Sequence, residues 1–339
     1  SYNLFVITFF TLPIIIFFKI SKIHKILNFV FIFFIILCLY IYGNYKINKN
    51  KEYLASVDQK TYVKIISPNF DLEYGLNIQE IEDRFKKIIR YSDPIEEEKT
   101  LFIWPEGVFS GYSYDQILSF KELILNNFSK NHFIVFGINK LDTDSGKFYN
   151  SILIINNKFE VIQSYNKRKL VPFGEFLPFE NILNKFGLKK ITEGHGSFLK
   201  GIENNNLRIG NLNILPLICY EIIFPDLVQK SDKNTNLIIN ISEDGWFGKS
   251  IGPDQHLAKS IFRAIESDTF LLRSANQGVS AIIDNKGNIV KKLNRNEAGN
   301  IEFKVPLIKS NKIKNDLIFF ILLITYLLFF YIYKKQNEK

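Results

Sequence analysis

Residues 4–18 (LFVITFFTLPIIIFF), 26–43 (ILNFVFIFFIILCLYIYG) and 317–333 (LIFFILLITYLLFFYIY) carry no charged side chain. A helix needs about 17–25 mostly apolar residues to cross a bilayer. The second and third runs meet that length. The first is slightly short and holds Pro13, so it crosses only if it tilts little or is part of a longer segment. Core helices of soluble proteins seldom lack all charge over such lengths. A cleaved signal peptide has a shorter apolar core followed by small residues, and nothing of that kind follows residue 43. The chain is therefore expected to hold two membrane helices in residues 1–45, a polar domain over 46–315, and a last membrane helix with a short basic tail over 316–339.

Two spans before the domain and one after it put the whole domain on one side of a bilayer. Which side is not decided by the lysines. Lys19, Lys22 and Lys25 lie between the first two runs, and Lys334, Lys335 and Lys339 follow the third. Against them stand Lys46, Lys49 and Lys51 at one end of the domain, and Lys309, Lys312 and Lys314 at the other. The positive-inside rule reads this as a tie. The net charge of +9 loses six lysines to the membrane flanks. The remaining mild excess is no nucleic-acid footprint and suits a lipid bilayer as partner as well as an ordinary solvated surface. An apolar share of 47% excludes a disordered chain. Two cysteines exclude a disulfide scaffold, and no Cys/His spacing fits a metal site.

Between the flanks, short apolar runs alternate with helical patterns. Strands are expected at 63–66, 101–104, 132–138, 151–155, 159–165, 212–219, 236–242, 269–274 and 279–284, and helices at 78–91, 117–128 and 256–267. Ile78, Ile81, Phe85, Ile88 and Ile89 share one helix face. This alternation predicts an α/β domain with helix-covered sheets. No internal repeat is visible.

Four polar islands follow apolar strands, the position where α/β folds place their chemistry. They are Trp104-Pro105-Glu106-Gly107, the stretch from Tyr165 to Pro178 with Lys167 and Glu175, Cys219-Tyr220-Glu221, and Glu243-Asp244-Gly245-Trp246-Phe247. Taken singly, each has a bland reading: a solvated Glu, a wet basic loop, a small buried thiol, packing aromatics. Together they offer a nucleophile, a base and an oxyanion partner. Cys38 lies in an apolar run, so Cys219 has no evident disulfide partner. His24, His132, His195 and His256 leave a Cys-His pair open, but none has an orienting motif beside it. Glu106, Lys167 and Cys219 are the alternative set, with the carboxylate as base and the ammonium favouring the thiolate.

These residues resemble the carbon–nitrogen hydrolase (nitrilase) superfamily and, within it, the bacterial apolipoprotein N-acyltransferases. The resemblance is carried by WPE at 104–106, YNKRKLVPFGEFLPFE at 165–180, ICYEI at 218–222, DGWFGKSIGPDQH at 244–256 and RAIESDTFLLRSANQGVSAII at 263–283. It implies an α-β-β-α sandwich flanked by membrane helices, with Cys219 as nucleophile and Glu106 as general base. Lys167, with the backbone N–H of Tyr220, would hold the oxyanion. Glu175 would orient the lysine or assist proton transfer, Tyr220 and Glu221 would shape the thioester site, and Trp246 and Phe247 would line or gate an acyl pocket. No metal or cofactor is implied. The implied partners are a phospholipid acyl donor and a diacylglyceryl apolipoprotein acceptor, and the implied location is the bacterial inner membrane with the domain facing the periplasm.

The chain departs from that pattern in three places. Glu243-Asp244 stands where an Asn often precedes the Asp, and Ser67-Pro68-Asn69 replaces a Gln-Gly-Asn. Two N-terminal spans replace six or seven, so the chain, which starts at Ser1 and has no Met, is expected to be a fragment of a longer protein. Two other readings share these residues: a membrane-anchored amidase in which water resolves the thioester, and an inactive tethered scaffold.

Overall fold

The computed structural model describes residues 2–11, 14, 17, 21–179, 196–202 and 206–310, with residues 320, 321, 323, 324, 326–328, 330 and 331. The chain divides into two compact units, Ser1–Ser56 with Ile313–Lys339, and Val57–Lys312.

The first unit holds α1 (Tyr2–Thr11) and α2 (Lys22–Ala55). Ser21 caps α2, its hydroxyl accepting the His24 N–H. At 34 residues α2 is long and apolar enough to cross a membrane, and its large side chains, Phe33 and Phe34 among them, are exposed. A helix of that length measures ~50 Å, so it runs well past the apolar run 26–43. The expected domain start at residue 46 thus falls inside a helix. Only ten residues of the first apolar run's neighbourhood form α1; the rest of that run lies mostly outside the described residues. The described residues between 320 and 331 are helical.

The second unit opens with β1 (Lys60–Ser67), α3 (Ile78–Ser92), β2 (Thr100–Ile103), α4 (Tyr114–Ile117), α5 (Lys121–Asn127), β3 (His132–Leu141), β4 (Phe148–Ile155) and β5 (Val161–Asn166). It continues with β6 (Leu207–Ile209), β7 (Leu212–Ile218), α6 (Pro225–Gln229), β8 (Leu237–Glu243) and α7 (Gly252–Ser267). It closes with β9 (Leu271–Asn276), β10 (Ser280–Ile283), β11 (Ile289–Leu293) and β12 (Gly299–Pro306). One six-stranded sheet runs β12-β1-β2-β3-β4-β5 and the other β11-β10-β9-β8-β7-β6.

Strand alternation explains the layering. On the first sheet, Ile66, Phe102 and Ile134 pack with Ile81, Phe85 and Ile88 of α3 and with Ile117 and Ile124. On the second, Leu215, Ile238 and Leu271 pack with Leu227 and Val228 of α6 and Ala264 of α7. The opposite faces meet each other, where the Ser274 hydroxyl donates to the Ile66 carbonyl at 2.8 Å. The result is the expected α-β-β-α sandwich.

The two sheets share one sequence of strand senses. In the first, β12-β1 is antiparallel, β1-β2 and β2-β3 are parallel, and β3-β4 and β4-β5 are antiparallel. From β6 to β11 the order is the same. So β1 matches β7, β2 matches β8, and α3 and α6 occupy equivalent crossovers. The domain repeats its topology internally, a repeat of strand order that the sequence does not display. Sense and order repeat here without a repeated residue pattern.

Candidate active site

Each polar island follows a strand for a local reason. Beyond β2, Gly107 turns the chain with φ +80. A Cβ there would overlap the Glu243 carboxylate, so only glycine lets the two loops close. Beyond β7, Cys219 takes φ +46, a left-handed conformation that is strained for a non-glycine residue. That turn takes the thiol out of the strand and onto the wall of a cavity. Cys219 thus begins a short 3-10 turn (Cys219–Ile223) rather than ending the strand.

The cavity measures about 430 Å³, and Glu106, Lys167, Glu175, Cys219, Tyr220, Trp246 and Phe247 all line it. Leu72, Phe109, Ile138, Val171, Pro172 and Phe198 make much of the remaining wall apolar. Lys167 is 1% exposed. Its Nζ donates to Glu175 Oε1 at 2.9 Å and lies 3.8 Å from Glu106 Oε1. Burial alone would lower the ammonium pKa, but the carboxylates of Glu175 and Glu106 outweigh it and the pKa is raised. The lysine therefore stays charged. The Cys219 thiol is pushed up, first by burial and then by Glu106, with Lys167 opposing. It rests as the protonated thiol, and a nearby base must take its proton as it attacks.

Asn150, on β4, was not legible as a site residue. Its Nδ2 donates to Glu106 Oε1 at 2.8 Å and to Glu175 Oε1 at 2.7 Å. Its carbonyl accepts the Lys167 N–H at 2.8 Å. One residue thus bridges both carboxylates with its side-chain amide and seats the lysine's backbone with its main-chain carbonyl. Glu175 also accepts the Val171 N–H at 2.9 Å, which folds the loop after β5 back over the lysine.

Glu221 does not line the cavity. It is fully buried, and one oxygen accepts from the Tyr165 hydroxyl and the N–H groups of Arg168 and Lys169. Its other oxygen accepts the Ile218 N–H at 2.9 Å. It ties the lysine loop to the cysteine turn, so any influence on the thioester site is through backbone placement. Trp246 is 46% exposed and tilts against Tyr74 with ring centres 5.9 Å apart. Phe247 sets its ring edge-on to His256 at 4.7 Å.

His256 also lines the cavity. Its Nδ1 lies 3.3 Å from Asp244 Oδ1, a carboxylate buried behind the histidine and not part of the cavity lining. That carboxylate takes the Ser242 hydroxyl at 2.7 Å and Arg273 Nη2 at 2.6 Å, while Arg273 Nη1 reaches Asn240. Burial would raise the Asp244 pKa, but Arg273 and its other donors overcome this and bring it to about 2. Among the histidines, His24 belongs to α2, His132 packs on β3 in the first sheet, and His195 lies outside the described residues.

Residues 74–313 match the carbon–nitrogen hydrolase family. An apolipoprotein N-acyltransferase of Rhodopseudomonas palustris is 35% identical over 260 residues, covering 72% of this chain and 48% of that protein. One of Rickettsia typhi is 34% identical over 279 residues, covering 80% of this chain and 54% of that protein. The chain thus spans about half the length of the curated relatives it matches. Among solved structures, Nit3 of Saccharomyces cerevisiae, a nitrilase-superfamily member, matches with a TM-score of 0.54 at 17% identity, covering 74% of this chain and 91% of that one. That likeness is one of fold. With the sandwich, the thiol on the turn after β7 and a family match over residues 74–313, the chain belongs to the carbon–nitrogen hydrolase family.

Proposed function

We propose that this chain carries the catalytic domain of an apolipoprotein N-acyltransferase working by a Glu106-Lys167-Cys219 triad. The observation that carries this reading is the convergence of thiol, carboxylate and ammonium on one largely apolar cavity. The names of the relatives and the apolar helix α2 support it. The domain faces the periplasm from a multi-pass anchor in the bacterial inner membrane, where both lipid substrates reside.

In the first step the Cys219 sulfur attacks the ester carbonyl of a phospholipid while Glu106 takes the thiol proton. The C–O bond breaks, the proton passes to the leaving alkoxide, and a lysophospholipid departs from the thioester. In the second step the α-amine of a diacylglyceryl-cysteine attacks the thioester. Glu106 takes the amine proton, the C–S bond breaks, and the proton returns to sulfur. Lys167 and the Tyr220 N–H hold the oxyanion in both steps, so one preorganised site serves twice. Glu175 fixes the lysine, and Trp246 and Phe247 bound the acyl chain.

The test is intact-mass measurement of the solubilised protein after incubation with phospholipid. An added acyl mass on Cys219 that is discharged by a diacylglyceryl peptide supports the reading. Discharge by water alone, with no amide product, favours the hydrolase, and an unreactive Cys219 favours the scaffold. Asn150→Leu removes the amide that spaces both carboxylates. Loss of hydrogen bonds to charged groups costs about 1.5–3 kcal/mol each, so acyl-enzyme formation should slow at least roughly tenfold. An unchanged rate would remove Asn150 from the positioning role.

A further inference from the structure

His256 turns one edge of its imidazole to the cavity, and the triad mechanism does not use it. The residue is 5% exposed and lines the cavity together with Cys219 and Glu106. Its Nδ1 faces the other way, 3.3 Å from Asp244 Oδ1, and Asp244 lies outside the lining. Among the described residues no polar group meets Nε2, yet that atom is not sealed in the interior, so it opens on the cavity. The ring is also propped from the side. Phe247 stands edge-on to it at 4.7 Å, and Phe247 is itself seated on Gly252, where a Cβ would overlap its ring.

The partner of Nδ1 decides what Nε2 offers. Arg273 Nη2 and the Ser242 hydroxyl donate to Asp244 at 2.6 and 2.7 Å, so Asp244 is ionised. An ionised carboxylate only accepts hydrogen bonds. The ring hydrogen therefore sits on Nδ1, and the neutral imidazole turns the lone pair of Nε2 to the cavity. The acids on the same wall already hold donors on both oxygens. Glu106 takes Asn150 and the Glu243 N–H, Glu175 takes Lys167 and the Val171 N–H, and Glu243 takes Asn276 and the Gly245 N–H. The histidine is also close to the thiol. Helix α7, which carries it, packs on the turn that begins at Cys219, with Leu257, Ile261 and Ile222 in one cluster. The charge of Asp244, directly behind the ring, bears on the Cys219 thiol.

We propose that His256 Nε2 accepts an N–H of the acyl acceptor's α-amine and holds that nitrogen beside the thioester on Cys219, with Asp244 fixing the ring. The inference rests on the acyltransferase reading above and adds the residue that recognises the amine. His256 binds substrate in this scheme and takes no proton. A primary amine has two hydrogens and one lone pair. With one hydrogen on Nε2, the lone pair is left for the thioester carbon and the second hydrogen for Glu106, which still takes the proton. A phospholipid ester brings no N–H to its carbonyl, so the contact serves the acceptor and not the donor.

The experiment uses the full chain carrying Cys219→Ala, so that binding is read without turnover, at about pH 9, where an α-amine is unprotonated. Two probes are compared: a diacylglyceryl-cysteine peptide with its free α-amine, and the same peptide with hydrogen in place of the amine. The chain with His256 should bind the amine probe about tenfold more tightly, the scale of one hydrogen bond. His256→Asn, whose amide keeps a donor for Asp244 and leaves no atom at the Nε2 position, should bind the two alike. In 15N spectra the His256 Nε2 signal, identified by its loss in His256→Asn, should shift with the amine probe and stay in place with the other. Equal binding or no binding of the two probes by the chain with His256 overturns the proposal, whatever the variant does. So does a preference that survives His256→Asn, or an Nε2 signal that does not move. Amine recognition through His256 in a protein that transfers no acyl group counts against the proposed function alone. Acyl transfer by a protein whose amine preference survives His256→Asn counts against the amine site alone.

Discussion

Cys219→Ala is expected to abolish acyl-enzyme formation, with a loss on the order of a million-fold, the scale at which a nucleophile and its base fail as a unit. The sulfur is the only atom at that turn that can form the thioester, and the strained φ of +46 exists to present it. Glu106→Gln should cost about a hundred- to ten-thousand-fold, the range for removing a general base. The resting thiol is protonated because burial and Glu106 hold its pKa up, so without the base little thiolate forms. Full acyl transfer by Cys219→Ala would sink the nucleophile assignment. A thioester that accumulates normally in Glu106→Gln would remove Glu106 from the first step.

Asp244→Asn should give the largest loss of stability. Asp244 and Arg273 are both fully buried as side chains, 2.6 Å apart. Replacing the carboxylate leaves the guanidinium charged and unpaired in the interior, at a cost of about 3–5 kcal/mol. For a domain of this size that lowers Tm by roughly 6–20 °C. The same pair sets an acid limit. Asp244 is depressed from 3.8 to about 2, so its contribution is present above the unfolded pKa and is lost as pH falls toward 2. Trp246→Ala, at a half-exposed side chain away from the core, should change stability by no more than about 0.5 kcal/mol. Equal melting of the Asp244→Asn and parent proteins would show that the pair does not stabilise the fold.

Strong patterns made most of the fold legible. Helix α3 announces itself by Ile81, Phe85 and Ile88 on one face and by the Asn77–Glu80 capping box. Strand β12 did not, because its residues alternate in burial without a continuous apolar run. Nor did β6, which has three residues. Strand β5 was expected from Phe159, but that residue has φ 62 and belongs to the turn. The triad residues stood out because carboxylate, ammonium and thiol are rare at the ends of apolar strands. Asn150 did not, because an amide inside a strand reads as a polar face. Its role depends on Glu175 and Glu106, 25 and 44 residues away. The placement of Glu221 inside the core likewise depended on Tyr165, 56 residues upstream.

The pairing of β1 with β12 bears on how the domain is made. The Tyr62–Glu302 bond across this pair joins residues 240 apart, so the sheet that carries Glu106 and Lys167 gains its last strand only after that length of chain has been made. At about 5–20 residues per second, β1 waits roughly 10–50 s on the ribosome for its partner. During that wait the backbone between Lys60 and Ser67 is an open edge, the kind that recruits foreign strands. Contacts of such separation also fold slowly. A nascent chain halted before Gly299 would therefore hold every residue of the triad and still be a template for aggregation.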